Sequence, residues 1–218
     1  MIELFGHAFS SYTQKALIAL YEKDLPFTFR MLGPEHPENG ARLNALWPFG
    51  RFPVLVDEAG GVFPEASIVI ERIDQIARDP AMLPSDPALR LEARLLDRVF
   101  DNDVMNRMQA IVNEALVPEE ERHPPNAARA RAALDRSYAW LDARMADRRW
   151  AVGDAFGLAD CAAAPALFYA DWAHPIDERF AALRRYRARL LARPSVARTV
   201  DEARPYRAYF PLGAPERD

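Results

Sequence analysis

Three short stretches carry residue types whose spacing suits the recognition of a small anion. Phe52-Pro53-Val54-Leu55-Val56 is an apolar, β-branched run opened by a proline and closed by the turn formers Asp57 to Gly61. Proline is tolerated at the start of a strand, and there it exposes the backbone of its predecessor. Val62-Phe63 reads as a hairpin partner, and Pro64-Glu65-Ala66-Ser67 as the first turn of a helix with Ile68, Val69, Ile73 and Ile76 on its apolar stripe. So tight a succession of strand, turn, strand and helix leaves the Phe52-Pro53 bond and the Glu65 helix start facing one place. The free N–H groups of a helix start attract anions, so the pair could hold a small peptide-like anion. The third stretch, Ser10-Ser11-Tyr12, stands where a loop enters a helix, and both serines are good N-caps.

Other chemistry-bearing residues read more plainly. His7, His36, His123 and His174 are scattered without metal-ligand spacing and read as surface or loop residues, and no metal is expected. Asp101 and Asp103 read as a solvated helix face. Cys161 follows Asp160 in the most apolar segment and reads as a small buried hydrophobe.

The elements that must position these residues alternate at first. Ile2, Leu4 and Phe5 suggest a strand, and Ala16, Leu17, Leu20 and Tyr21 recur at helical spacing up to Asp24-Leu25-Pro26. Phe27 to Leu32 reads as a second strand and Asn39 to Leu46 as a short helix. Residues 1–78 therefore form an α/β unit closing on an antiparallel pair. Residues 79–87, with Pro80, Pro84 and Pro87, read as a linker. Strand signals then vanish, and 88–218 reads as all-helical. Leu91, Leu95 and Val99 lie on one line of the first long helix, and Leu96, Phe100, Val104, Met108 and Ile111 on another. Residues 126–148 continue with Leu134, Tyr138, Leu141 and Met145. Ala159 to Trp172 reads as the buried central helix, 177–192 and 195–203 as two more, and Pro205 to Asp218 as an irregular tail.

Composition narrows the function classes. The 218 residues have a formal charge of -4, which argues against binding a nucleic-acid backbone. Lys15 and Lys23 are the only lysines, a scarcity that reads as genome composition. One cysteine permits no internal disulfide and fits a reducing compartment. With neither a signal-peptide pattern nor an apolar run of ~20 residues, the expectation is a soluble cytoplasmic protein without a membrane partner.

The paired stretches resemble the glutathione transferase superfamily. In that family a hydrophobic residue, a cis-proline and Val-Leu are followed by a turn and a Glu-Ser-like helix start. Phe52-Pro53-Val54-Leu55 and Glu65-Ala66-Ser67 take those places, beside an N-terminal Ser-Ser motif. Gly157-Leu158-Ala159-Asp160 adds to the likeness, although the family has Ser or Thr where Gly157 stands. The resemblance covers nearly the whole chain and implies a thioredoxin-like N-terminal domain followed by an all-helical one.

It also implies a chemistry: attack of the glutathione thiolate on a small apolar electrophile, with glutathione as co-substrate, no metal, and a homodimeric enzyme. Ser10 becomes the expected thiolate stabiliser, with Ser11 and Tyr12 able to share or replace that role. Phe52-Pro53 is expected to be cis, and Phe52 to present its backbone to the cysteinyl portion. Glu65 is expected to meet the γ-glutamyl amine and Arg51 the glycyl carboxylate. At Ala66 the family has a hydroxyl for the γ-glutamyl carboxylate. Either a backbone N–H of Ala66 or Ser67, or the Ser67 hydroxyl, must serve instead. The electrophile is expected between the halves, against Val104, Met105, Met108 and Gln109, with a place in the helical core as the alternative for these residues. Two other readings stand: a non-catalytic glutathione-binding or protein-interaction module, and a zeta-like isomerase. The zeta motif continues Ser-Ser-Cys, whereas Tyr12 follows here.

Overall fold

The computed structural model describes every residue, Met1–Asp218. The N-terminal half runs β1 (Ile2–Gly6), α1 (Ser11–Glu22), β2 (Phe27–Met31), α2 (Pro37–Leu46), β3 (Val54–Val56), β4 (Val62–Pro64) and α3 (Ala66–Ile76). Its sheet has the order β2-β1-β3-β4, with β1 parallel to β2 and the other two pairings antiparallel. This is the thioredoxin-like arrangement. The period of two along each strand divides the core between the two sheet faces. Ile2, Leu4 and Leu55 join the large core that includes α1 and α3, whereas Phe5, Val54 and Val56 pack with Leu43 of α2 in a smaller cluster.

After residue 86 the chain is helical: α4 (Pro87–Val99), a π-helical segment (Phe100–Met105), α5 (Asn106–Leu116), α6 (Pro124–Met145), α7 (Leu158–Ala173), α8 (Ala181–Leu191) and α9 (Pro194–Ala203). Of the two apolar lines on the first long helix, Leu96, Phe100, Val104, Met108 and Ile111 are buried, whereas Leu91 and Leu95 face outward. α7 is buried from Leu158 to Trp172 and packs against α1, α4 and α8. Its start is held by Asp160, which accepts from Gly157 N at 3.0 Å, Ala151 N at 2.9 Å and the Tyr186 hydroxyl at 2.6 Å. Burial pushes the Asp160 carboxyl up to about 6, against the pull of those three donors. The glycine at the cap has a physical reason. Leu158 N donates to Met82 O at 2.8 Å, and a Cβ on Gly157 would stand 2.6 Å from that same carbonyl. The connection between the halves occupies the room a Ser or Thr would need.

Two expectations are corrected. The tail is not irregular throughout: Arg204–Tyr209 forms a 3₁₀ turn, and Phe210 is buried against Trp172 and Tyr169. Asp218 pairs with Arg204 at 2.5 Å and with Arg207, and Arg217 pairs with Asp171. Nor are the lysines a mere matter of composition, because both are buried, Lys15 on α1 and Lys23 just past its end. Lys23 Nζ lies 2.8 Å from Asp74 of α3 and donates to the carbonyls of Ala77 and Pro80. Lys15 Nζ lies 2.6 Å from Asp97 Oδ1, 2.9 Å from Asp101 Oδ2 and 2.9 Å from Ser67 Oγ. An ammonium offers three donors around a compact point charge, which a planar guanidinium cannot arrange in this way.

Lys15→Met leaves Asp97 and Asp101 without their buried cation. Removing one partner of a buried pair costs about 3–5 kcal/mol, so denaturant unfolding of the variant is expected to show a loss of that size. The double variant Lys15→Met/Asp101→Asn is expected to recover part of it, because one of the stranded charges is removed.

Candidate functional site

Two cavities lie along the cleft between the halves, and Tyr12 lines both. The first has a volume of about 360 Å³ and is lined by Tyr12, Trp47, Arg51, Phe52, Pro53, Glu65 and Ala66 from the α/β half and by Arg98, Asp101, Asn102 and Asn106 from the helical half. The Phe52-Pro53 peptide is cis. Glu65 precedes α3 with φ +71°, a left-handed conformation that a residue with a Cβ adopts only under strain, at a cost of about 1–3 kcal/mol. The α3 N-terminus thereby opens at Ala66 into the cavity, whose charge is mixed. Arg51 and Glu65 sit 3.6 Å apart and well exposed, a pairing worth about 0–1 kcal/mol and easily exchanged for a ligand's charges.

Ser67 does not join them. Its hydroxyl donates to Asp97 Oδ2 at 2.8 Å and accepts from Lys15, so it belongs to the buried cluster. The backbone N–H groups at the α3 start are the donors left beside Ala66. Asp101 also departs from its reading as a solvated residue: it is buried against Lys15, while Asp103 stays half-exposed beside Arg107. Burial raises the Asp101 carboxyl above the usual range, and the neighbouring Lys15 charge opposes that. The π-helical segment spans Asp101 and Asn102, and such segments change the angular register of a helix. Asp101 read as solvated because its buried partner Lys15 lies 86 residues away, and nothing local marked Asn102 or Asn106.

The second cavity, about 280 Å³, is predominantly apolar and aromatic. Phe9, Ser10, Ser11, Tyr12, Met108, Gln109, Val112, Leu116 and Tyr169 line it, and Tyr209, Phe210 and Pro211 of the tail close one side. Val104 and Met105, expected at this wall, are instead buried in the helical core, because they occupy inward positions of the π-helical segment. Met108 and Gln109, a turn further on, do line the cavity. The tail residues were missed because Tyr209-Phe210-Pro211 has no periodicity; its density of aromatics was the available signal.

Ser10 caps α1, its Oγ accepting from Thr13 N at 3.4 Å. The hydroxyl proton remains to donate at the positive end of the helix. The Tyr12 hydroxyl is already engaged, donating to Asn106 Oδ1 across the cleft at 3.1 Å. Burial, followed by the charge of Asp101, pushes that phenol up to about 12. It therefore stays protonated at neutral pH. Cys161 is fully buried and its thiol is pushed up by burial, so it offers no nucleophile. No group of three or more His, Cys, Asp or Glu side chains is arranged to hold a metal ion, and no helix is long and apolar enough to cross a membrane.

Comparison with known proteins accounts for this geometry. Residues 4–81 match the family model of the glutathione S-transferase N-terminal domain, and residues 124–189 that of the C-terminal domain. A glutathione S-transferase from Methylobacterium radiotolerans, solved in complex with glutathione sulfonate, superposes with a TM-score of 0.79 at 32% identity, covering 91% of this chain and 94% of that one. The GST-like protein YibF of Escherichia coli is 31% identical over 147 residues, 67% of this chain and 71% of its own. FtsZ-localized protein A of Caulobacter vibrioides is 30% identical over 194 residues, 84% of this chain and 83% of its own. From the paired cavities, the sheet topology and these matches together, the chain belongs to the glutathione S-transferase superfamily.

Proposed function

We propose that the protein is a cytoplasmic glutathione transferase that conjugates the glutathione thiolate to a small apolar electrophile. The observation that carries this reading is the pair of cavities meeting at Tyr12. One is polar, with a helix N-terminus and charges of both signs; the other is aromatic and has Ser10 in its wall. In this reading Glu65 takes the γ-glutamyl ammonium, the backbone N–H groups at Ala66 and Ser67 take its carboxylate, and Arg51 takes the glycyl carboxylate. The backbone of Phe52 faces the cysteinyl portion. The bound ammonium and carboxylate replace the exposed Arg51–Glu65 pair at little cost.

The sulfur then projects past Tyr12 toward Ser10. A free thiol has a pKa of ~8.5. A hydroxyl hydrogen bond and the α1 dipole both favour the thiolate over the thiol. The sulfur lone pair attacks the electrophilic carbon held against Met108, Gln109 and the aromatic wall; a C–S bond forms and the leaving group departs with its electron pair. A second reading, a glutathione-binding module without turnover, draws support from Ala66 in place of the family's hydroxyl and from kinship to a protein named for its localisation with FtsZ. Side-by-side turnover of an aryl halide and of maleylacetoacetate separates transferase, isomerase and module.

We also propose a homodimer. Ile68 of α3 and Leu91 and Leu95 of α4 are 49%, 70% and 52% exposed, on adjacent helices tied together by the Arg94–Glu71 ion pair at 2.7 Å. An apolar stripe rimmed by charges of both signs suits a self-complementary two-fold contact with a second copy of the chain.

Removing the Ser10 hydroxyl takes away a hydrogen bond to a charged atom, worth ~1.5–3 kcal/mol. At ~1.36 kcal/mol per pKa unit, Ser10→Ala is expected to raise the pKa of bound glutathione by about one to two units, read as thiolate absorbance against pH. Glutathione affinity should change little, whereas Glu65→Ala should weaken it by about tenfold in a thermal-shift titration. Ser11→Ala and Tyr12→Phe should leave the thiol pKa in place; movement there instead of in Ser10→Ala reassigns the donor. Leu95→Glu is expected to turn the dimer into a monomer by light scattering while leaving the fold intact. A wild-type chain that is already monomeric overturns the dimer.

A further inference from the structure

On the side of the helical half formed by the end of α7, α8 and the tail there is a separate cavity of about 420 Å³. It is lined by Asp171, Pro175, Ile176, Arg184, Arg187, Ala188, Arg217 and Asp218. It shares no residue with either cavity of the cleft. Arg184 and Arg187 are three apart on α8, so their side chains rise from the same helix face, about 5–6 Å apart at Cβ.

The two arginines are underused by the protein. Arg187 is largely enclosed, its side chain only 13% exposed. Its Nε reaches the Leu167 carbonyl at 3.4 Å, but its Nη2 lies 3.3 Å from Asp171 Oδ2 out of line and has no hydrogen-bond acceptor. The Arg184 guanidinium lies on the exposed side and makes no ion pair within 4.0 Å and no hydrogen bond. The Asp171 carboxylate is already taken: Oδ1 accepts from Ile176 N at 2.7 Å, and Oδ2 is paired with Arg217. Asp218 is held by Arg204 and Arg207. Both carboxylates at the cavity are thus engaged, while Arg187 Nη2 and the Arg184 guanidinium have no hydrogen-bond acceptor. A buried donor without a partner is costly, and guanidinium pairs match the oxygens of a tetrahedral anion.

We propose that this cavity is a binding site for the phosphate group of a small phosphorylated ligand, held by Arg184 and Arg187, with Arg217 closing it from the tail. The cavity is larger than a phosphate alone, which leaves room for the group that carries it. Burial pushes the Arg187 guanidinium below its ordinary value; the Asp171 charge opposes this, and the charges of Arg217 and Arg184 add to it.

The test is a thermal-shift titration of the full chain with inorganic phosphate, glycerol 3-phosphate and acetate, each against potassium chloride at matched ionic strength. Phosphate and glycerol 3-phosphate are expected to raise the melting temperature saturably above the chloride baseline, with acetate weaker. Tighter binding of glycerol 3-phosphate identifies a phosphomonoester as the ligand, and equal binding identifies free phosphate. Arg184→Gln removes an exposed side chain without an ion pair, and is expected to fold normally and bind phosphate about tenfold more weakly. Arg187→Gln should do the same, whereas Arg185→Gln, an equal change of charge on an outward position of α8, should bind as the wild type does. The proposal is overturned if no saturable shift exceeds the chloride baseline, if Arg185→Gln weakens binding as much as Arg184→Gln, or if both Arg184→Gln and Arg187→Gln retain it. Glutathione affinity, read in the same samples, should be unchanged in Arg184→Gln.

Discussion

The arrangement of the two halves depends on a single ammonium group. Lys15 leaves the buried face of α1 and meets Asp97 and Asp101 from the helical half and Ser67 from α3. Two carboxylates cannot be enclosed beside each other without compensation, and here compensation comes from Lys15 inside and Arg98 at the margin, 2.6–2.7 Å away. Such a cluster adds little net stability over an apolar core of the same volume. What it does provide is register. The ammonium hydrogen-bonds Ser67 and Asp101 and stands 2.6 Å from Asp97 in one relative placement of α1, α3 and α4, and that placement puts Asp101, Asn102 and Asn106 across the cleft from Glu65 and Tyr12. Lys23 acts similarly at the other end of α1, where it holds the chain connecting the halves.

The fold was legible because its signals are local. Pro53 before a β-branched run, the turn formers from Asp57 and the helix start at Glu65 each state their structure within a few residues, and the apolar periods of α6 and α7 are long enough to read directly. The parts of the cleft that follow from those signals were legible too: Arg51, Phe52, Pro53, Glu65 and Ala66 share one cavity. What was not legible depends on long-range placement. Ser67 looked available because nothing near it in sequence forecasts Asp97, thirty residues on. Val104 lies on the apolar line that proves to be core, and only the resemblance set it and Met105 at the cleft. Asp101 and Lys15 each resemble surface residues until they are seen to neutralise one another.

Electrostatics divide the hydroxyls near α1 into distinct roles. Ser10 accepts from the backbone of its own helix and keeps its proton for another acceptor. Tyr12 spends its proton on Asn106 and is too far from its titration range to exchange it at neutral pH. The position of a hydroxyl relative to the helix end, rather than its acidity, separates the group with a free proton from the one that joins the halves.

Tyr12 has one further consequence, for how such a protein can change over generations. Its ring is a shared partition, so a substitution that enlarges the aromatic compartment at this point also alters the polar one. A change that reshapes the aromatic cavity alone must fall on wall residues that belong to one compartment only, such as Leu116 at the end of α5 and Tyr209 in the tail. Leu116 and Tyr209 are largely exposed, each at 65%, and carry little of the core. The fold thus leaves room for change at the periphery of the aromatic cavity, while any change at Tyr12 is felt on both sides.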